Sequence, residues 1–141
     1  MPSLDLDSIA WQPGVTPPTL CSAADAAAEV RAFCDAHEHW AVEGCYTSLI
    51  EATLAYSPLL VFLEPGVETC LTHCRARPWE PHKYDSQQQQ DANLDFLLEW
   101  VRAYYTRTGE LSLAGHQALY DAYAGPKRMF TAVPEPGDVL P

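Results

Sequence analysis

Residues 59–63, Leu-Leu-Val-Phe-Leu, form an unbroken apolar run with no polar alternation. Such a run cannot lie on a solvated sheet face; it suits a strand buried on both sides, as in a parallel sheet covered by helices. Parallel strands need crossover connections, so the rest of the chain has to supply strand–helix units. The run ends in an acid, Glu64, and Pro65-Gly66 turns the chain into a segment whose apolar residues Val67, Cys70, Leu71 and Cys74 recur at helical spacing. Pro78 stops that helix.

The remaining chain reads as the units this requires. Residues 2–9 carry a short strand signal with Asp5 and Asp7 on one side of it, and the proline-bearing stretch 11–19 is a loop. Ser22 caps a helix running to about His39, with Ala26, Ala27, Val30, Phe33, Cys34 and His37 on one face. Residues 40–46 read as a strand passing into a turn at Gly44, and 47–56 as a helix. Ser86 and Gln89 form the S-x-x-Q box that opens the longest helix. Its stripe is Leu94, Leu97, Leu98, Val101, Tyr104 and Tyr105, widened by Phe96 and Trp100, while residues 87–90 read as solvated surface. Ser112 caps a last helix with Leu113, His116, Tyr120 and Tyr123 on one side, closed by Gly125 and Pro126. Lys127 and Arg128 then open a proline-bearing tail. Residues 1–130 are read as one α/β domain and 131–141 as the tail.

Composition bounds the function. At 141 residues with 48% hydrophobic content, one globular domain is expected. The formal charge of -11 opposes binding to nucleic acid or an anionic membrane through the general field, so an anion site has to be local. Neither a membrane-spanning run nor a signal-peptide pattern is present, and a cytoplasmic protein is expected. The five cysteines read as small core residues in a reducing compartment.

Strand, helix, strand, helix, strand and helix in this order predict a three-layer α/β/α domain with a mostly parallel sheet, in which ligands sit at the carboxyl ends of the strands. Asp5, Asp7, Glu43 and Glu64 fall at such ends. Arg75, Arg77, His82 and Lys83 gather within nine positions of a chain that has eight Lys and Arg in all. They read either as a local anion site or, for the arginines, as a solvated helix end favoured by the helix dipole. Asp5 and Asp7 serve equally as turn residues or ligand-facing groups. Cys70 and Cys74 with His73 and His82 offer a zinc alternative to their place on the apolar stripe. His116 reads as a satisfied core histidine, and Trp79 and Tyr84 as lid packing or a stacking surface.

The succession LDLDSIAWQPG, WAVEGCY and LLVFLEPGVETCLTHCRARPWEPHKY resembles the P-loop kinase-like proteins of the adenylate kinase type, especially the topology-modulation (FlaR-type) group, over nearly the whole chain. The resemblance implies ATP and Mg²⁺ as cofactors and phosphoryl transfer to a small acceptor, a phosphorylated molecule or nucleotide. By motif it places Asp5 and Asp7 at magnesium and substrate, Glu43, Gly44 and Tyr46 on the substrate side, and Glu64 near the metal. It makes residues 75–90 a lid whose Arg75, Arg77 and Lys83 neutralise the moving phosphoryl group. The family's G-x-x-x-x-G-K-[ST] loop does not occur among the 141 residues. The chain is therefore read as a truncated or degenerate relative, inactive alone, lacking the first strand, loop and helix. Unpaired flanking strands and a tendency to homo-oligomerise are expected. The alternative is a non-enzymatic module that binds a phosphorylated ligand or a protein partner.

Overall fold

The computed structural model describes residues 1–81 and 83–138. Strand β1 (Ser3–Asp5) pairs in parallel with β2 (Ala41–Glu43), with Leu4 opposite Val42. The apolar run becomes β3 (Leu60–Leu63), paired in parallel with β4 (Lys127–Phe130), with Phe62 opposite Met129. The chain is mixed α/β; among the described residues its named strands form two separate parallel two-stranded sheets, not the single layer expected, and one isolated antiparallel bridge joins Trp11 and Leu20.

Two local expectations are corrected. The first strand ends at Asp5 instead of running to residue 9. Asp5 Oδ1 accepts the Asp7 amide at 2.9 Å and the Asp5 carbonyl accepts the Ser8 hydroxyl at 2.6 Å, which turns the chain into the short helix α1 (Asp7–Ala10). Asp5 and Asp7 thus do not share one side of a strand. Lys127 and Arg128 belong to β4 and not to a tail. There Lys127 Nζ reaches the Tyr120 and Asp121 carbonyls at 2.7 and 3.3 Å, where a cation meets the negative end of a helix.

Helix α2 (Ala23–Asp35) starts where Ser22 Oγ accepts the Asp25 amide at 3.1 Å and buries Ala26, Val30 and Cys34. Helix α3 (Thr47–Glu51) is shorter than expected; Thr53 is buried, its hydroxyl folded back on the Ile50 carbonyl at 2.7 Å, and a 3₁₀ turn follows over Leu54–Tyr56. Helix α4 (Val67–Arg75) packs against α5 (Gln87–Ala103), and α6 (Leu113–Ala122) packs against both α3 and β3. The main buried cluster joins Leu6, Ala10, Ala26, Val30, Cys34, Tyr46 and Leu49, so it belongs to the half that holds β1 and β2.

The other half is less covered. Leu63 remains 55% exposed, although it closes the most apolar strand in the chain. Phe96 and Trp100 lie about 200° around α5 from Leu94 and Leu98, so they face solvent instead of widening the packed stripe. All five cysteines are free. No helix among the described residues is long and apolar enough to cross a membrane.

Candidate functional site

Of the acids read from the sequence, Asp5 and Glu43 are the last residues of β1 and β2, and Asp7 and Glu64 lie two and one residues beyond β1 and β3. Asp7 is held by Tyr46, whose hydroxyl donates to Asp7 Oδ1 at 2.5 Å and accepts from Trp11 Nε1 at 3.0 Å. Burial, then the bond to the Asp7 carboxylate, pushes the Tyr46 hydroxyl well above the usual tyrosine range, so it stays a donor. Asp5 uses Oδ1 on the Asp7 amide. Both aspartates are exposed, as is Glu43. Gly44 has φ +149°, and a Cβ there would stand 2.7 Å from Leu6 Cβ, so its first task is to let the turn pass the buried Leu6.

Glu64 is tied down. Its Oε1 accepts the Gly66 amide at 3.1 Å and the Tyr105 hydroxyl at 2.7 Å. Burial, then this bond, raises the Tyr105 pKa; burial, then the Glu64 charge, pushes Tyr104 up to about 12. Tyr104 and Tyr105 meet edge to face with centroids 5.2 Å apart. The Tyr104 hydroxyl lies 2.7 Å from His116 Nδ1, and His116 Nε2 lies 2.6 Å from the Cys45 carbonyl. A carbonyl can only accept, so Nε2 carries the proton and, in the neutral ring, Nδ1 accepts from Tyr104. His116 also meets Phe62 of β3 edge on at 6.1 Å. A chain of side chains from the α5–α6 corner therefore joins Cys45, two residues beyond β2, to Glu64, one residue beyond β3.

The cations are placed differently. Arg75 is exposed at the last turn of α4. Arg77 NH1 and Lys83 Nζ stand 3.8 and 3.6 Å from the two carboxylate oxygens of Glu80. Gln90 fixes this loop, its Oε1 accepting the Glu80 amide at 2.8 Å and its Nε2 donating to the Pro78 carbonyl at 3.0 Å. Gln90 is thus a scaffold residue and not mere solvated surface. A groove of about 410 Å³ lies beside the loop, lined by Lys83, Tyr84, Gln89, Ala92 and Asn93, and none of the four strand-end acids lines it. His82 lies outside the described residues.

Sequence reasoning passed over Tyr104, Tyr105 and Gln90 as contributors, and Glu110 as well. Glu110 accepts the Ser48 amide at 2.8 Å and the Ser48 hydroxyl, serving the first turn of α3 from 62 residues away. Among the described residues no group of three or more His, Cys, Asp or Glu side chains could hold a metal ion by itself. Cys70, His73 and Cys74 form no such group. Among the described residues the second carboxylate oxygens of Asp5 and Asp7 have no hydrogen-bond partner, a donor type that fits a magnesium ion completed by water and ligand phosphate. The G-x-x-x-x-G-K-[ST] sequence whose backbone cradles a triphosphate does not occur among the 141 residues. No protein-family profile, no curated protein and no solved structure matches this chain.

Proposed function

We propose that this chain carries the acceptor-side and lid groups of a P-loop-kinase-like phosphotransferase with a three-layer α/β/α plan. The observation that supports it best is the placement of Asp5, Glu43 and Glu64 at the ends of parallel strands, with the ends of β2 and β3 tied together through His116, Tyr104 and Tyr105. Ligands of parallel α/β sheets sit at that end. In this reading Asp5 and Asp7 take Mg²⁺ together with phosphate oxygens, Glu43 and the Gly44–Tyr46 turn orient the acceptor, and Arg75, Arg77 and Lys83 offset the charge on the transferred group. ATP is the donor of the intact activity. Without a phosphate cradle, these 141 residues are expected to bind acceptor without turnover.

The test is calorimetric titration with AMP, with and without Mg²⁺, alongside an assay of transfer from γ-labelled ATP. The expected result is Mg²⁺-sensitive AMP binding that weakens in Asp7→Asn and Glu43→Gln, with no transfer. Binding that ignores Mg²⁺ and both acids but falls in Lys83→Ala would favour the non-enzymatic module for a phosphorylated ligand. No binding at millimolar AMP removes both.

A further inference from the structure

Helix α5 carries a second stripe, on the side away from its packed one. At about 100° per residue, Gln89, Ala92, Trp100 and Ala103 all lie within about 40° of Phe96, on the side opposite Leu94 and Leu98. Phe96 is 67% exposed and Trp100 44%. The indole is not loose. The Arg107 guanidinium lies over its ring, 3.7 Å from the centroid, donates from Nη1 to the Trp100 carbonyl at 2.6 Å and is fixed through Nε to the Leu111 carbonyl. A large aromatic held in place before a partner arrives loses little freedom on binding, and Trp and Arg dominate the energetic centres of interfaces.

The groove of about 410 Å³ opens onto the same stripe. Its α5 wall is Gln89, Ala92 and Asn93, and Lys83 and Tyr84 of the preceding loop complete it. Phe96 stands midway between the groove and the indole: Ala92 and Trp100 are each four residues from it, or about 6 Å along the axis. If a second copy of α5 is turned end over end about Phe96, Trp100 of each copy comes level with Ala92 of the other, and Ala103 with Gln89. Large then meets small at each height, as a packed seam requires. The groove is of a size that takes a small ligand, so it has room for an indole, and the Tyr84 ring and Lys83 ammonium on its wall are both suited to meet one. From this match we infer that the protein forms a two-fold dimer through α5, its two helices antiparallel and the Trp100 of each copy seated in the groove of the other.

Charge and area set its strength. The acid flanking the seam, Glu99, is already bonded to Arg102, and antiparallel helices oppose their dipoles favourably. Aromatic side chains of about 200 Å² each, exposed by 67 and 44%, offer roughly 220 Å² a copy. With the neighbouring small and polar residues this stays at the low end for a specific interface, and a net charge of -11 on each copy opposes it. The dimer is therefore weak, dissociating at about micromolar concentrations or above. A basic helix would gain from the overall field but would find no acid within the stripe and would meet the Arg107 cation on Trp100. The inference involves no strand edge and no phosphate chemistry.

Sedimentation equilibrium of the parent chain from about 1 μM to about 1 mM should show an average mass rising towards that of two chains and no further. Phe96→Ser and Trp100→Ser should each raise the dissociation constant about tenfold or more; Phe96 is the more exposed, so its variant should keep the parent's circular dichroism. The direction of pairing is read with Gln89→Cys and Ala103→Cys and a short thiol-specific cross-linker. In the antiparallel pair each of these positions stands level with the other and about 21 Å along the axis from its own counterpart. An equimolar mixture should yield cross-linked dimer, and neither variant alone should exceed the parent. A single-chain mass at every concentration, association beyond two chains, a dimer that Phe96→Ser does not weaken, or cysteine variants that each cross-link with themselves would overturn the inference. None of these readouts involves AMP, so the phosphotransferase reading stands or falls separately.

Discussion

The link between the two sheets can be weighed by removing the functional atoms of His116 while keeping its ring. In His116→Phe the edge contact with Phe62 and the packing on Tyr104, 5.4 Å between centroids, are retained. Lost are the bonds to Tyr104 at 2.7 Å and to the Cys45 carbonyl at 2.6 Å. Cys45 is exposed, so water replaces most of the second bond; Tyr104 is half-buried, and its hydroxyl is left short of an acceptor. With a net hydrogen bond near 1 kcal/mol and a partial desolvation penalty on Tyr104, the variant should lose about 1–2 kcal/mol. His116→Ala forfeits the aromatic contacts as well, and should lose about 2–3.5 kcal/mol in total. Urea unfolding followed by circular dichroism at constant m reads both. Pairing His116→Phe with Tyr104→Phe should show a coupling of about 0.5–1 kcal/mol, since both remove the same bond. A His116→Phe variant as stable as the parent, or strict additivity of the pair, would refute the idea that this imidazole holds the two strand ends together.

Gly44→Ala should lose about 2–3 kcal/mol in the same assay, because the new methyl would stand 2.7 Å from the Cβ of fully buried Leu6, whose backbone is pinned to Glu43; a loss under half of that would mean that the turn yields easily. Alkaline pH should also unfold the chain. Tyr46, Tyr104 and Tyr105 all hold their protons more tightly than a free tyrosine at 10.0, so their contribution is complete below about pH 10. It is lost as the pH rises towards Tyr104's value of about 12. A spectrophotometric tyrosinate titration should show Tyr46, Tyr104 and Tyr105 ionising only with unfolding. Smooth titration of all seven tyrosines near pH 10 with the fold intact would contradict the arrangement.

What was legible in the sequence is what depends on near neighbours. Ser22, Ser86 and Ser112 each accept the amide three residues ahead, at 3.1, 3.1 and 3.0 Å, and each opens the helix its spacing announced. The apolar run at residues 59–63 also became a parallel strand. What escaped depends on distance along the chain. Glu64 meets Tyr105 across 41 residues and Cys45 meets His116 across 71, and no local pattern encodes such pairs. The end of the first strand escaped because one Asp5 side chain, bonding the amide two residues on, outweighed the strand propensity of Leu6.

The cationic segment shows why clustering in sequence is weaker than geometry. Arg77 and Lys83 do converge, but on Glu80, so a phosphate entering between them must first displace a carboxylate of this chain. That displacement is inexpensive. The pairs are partly exposed and stand at 3.6 and 3.8 Å, where each contributes about 0.2–1 kcal/mol. A phosphate dianion carries more charge than the single carboxylate it would replace and can meet Arg77 through two parallel bonds. Gln90 holds the Pro78 and Glu80 backbone between the two cations by bonds that do not involve the Glu80 carboxylate. Against the field of a chain with net charge -11, such a preassembled pair is how a local anion site can persist.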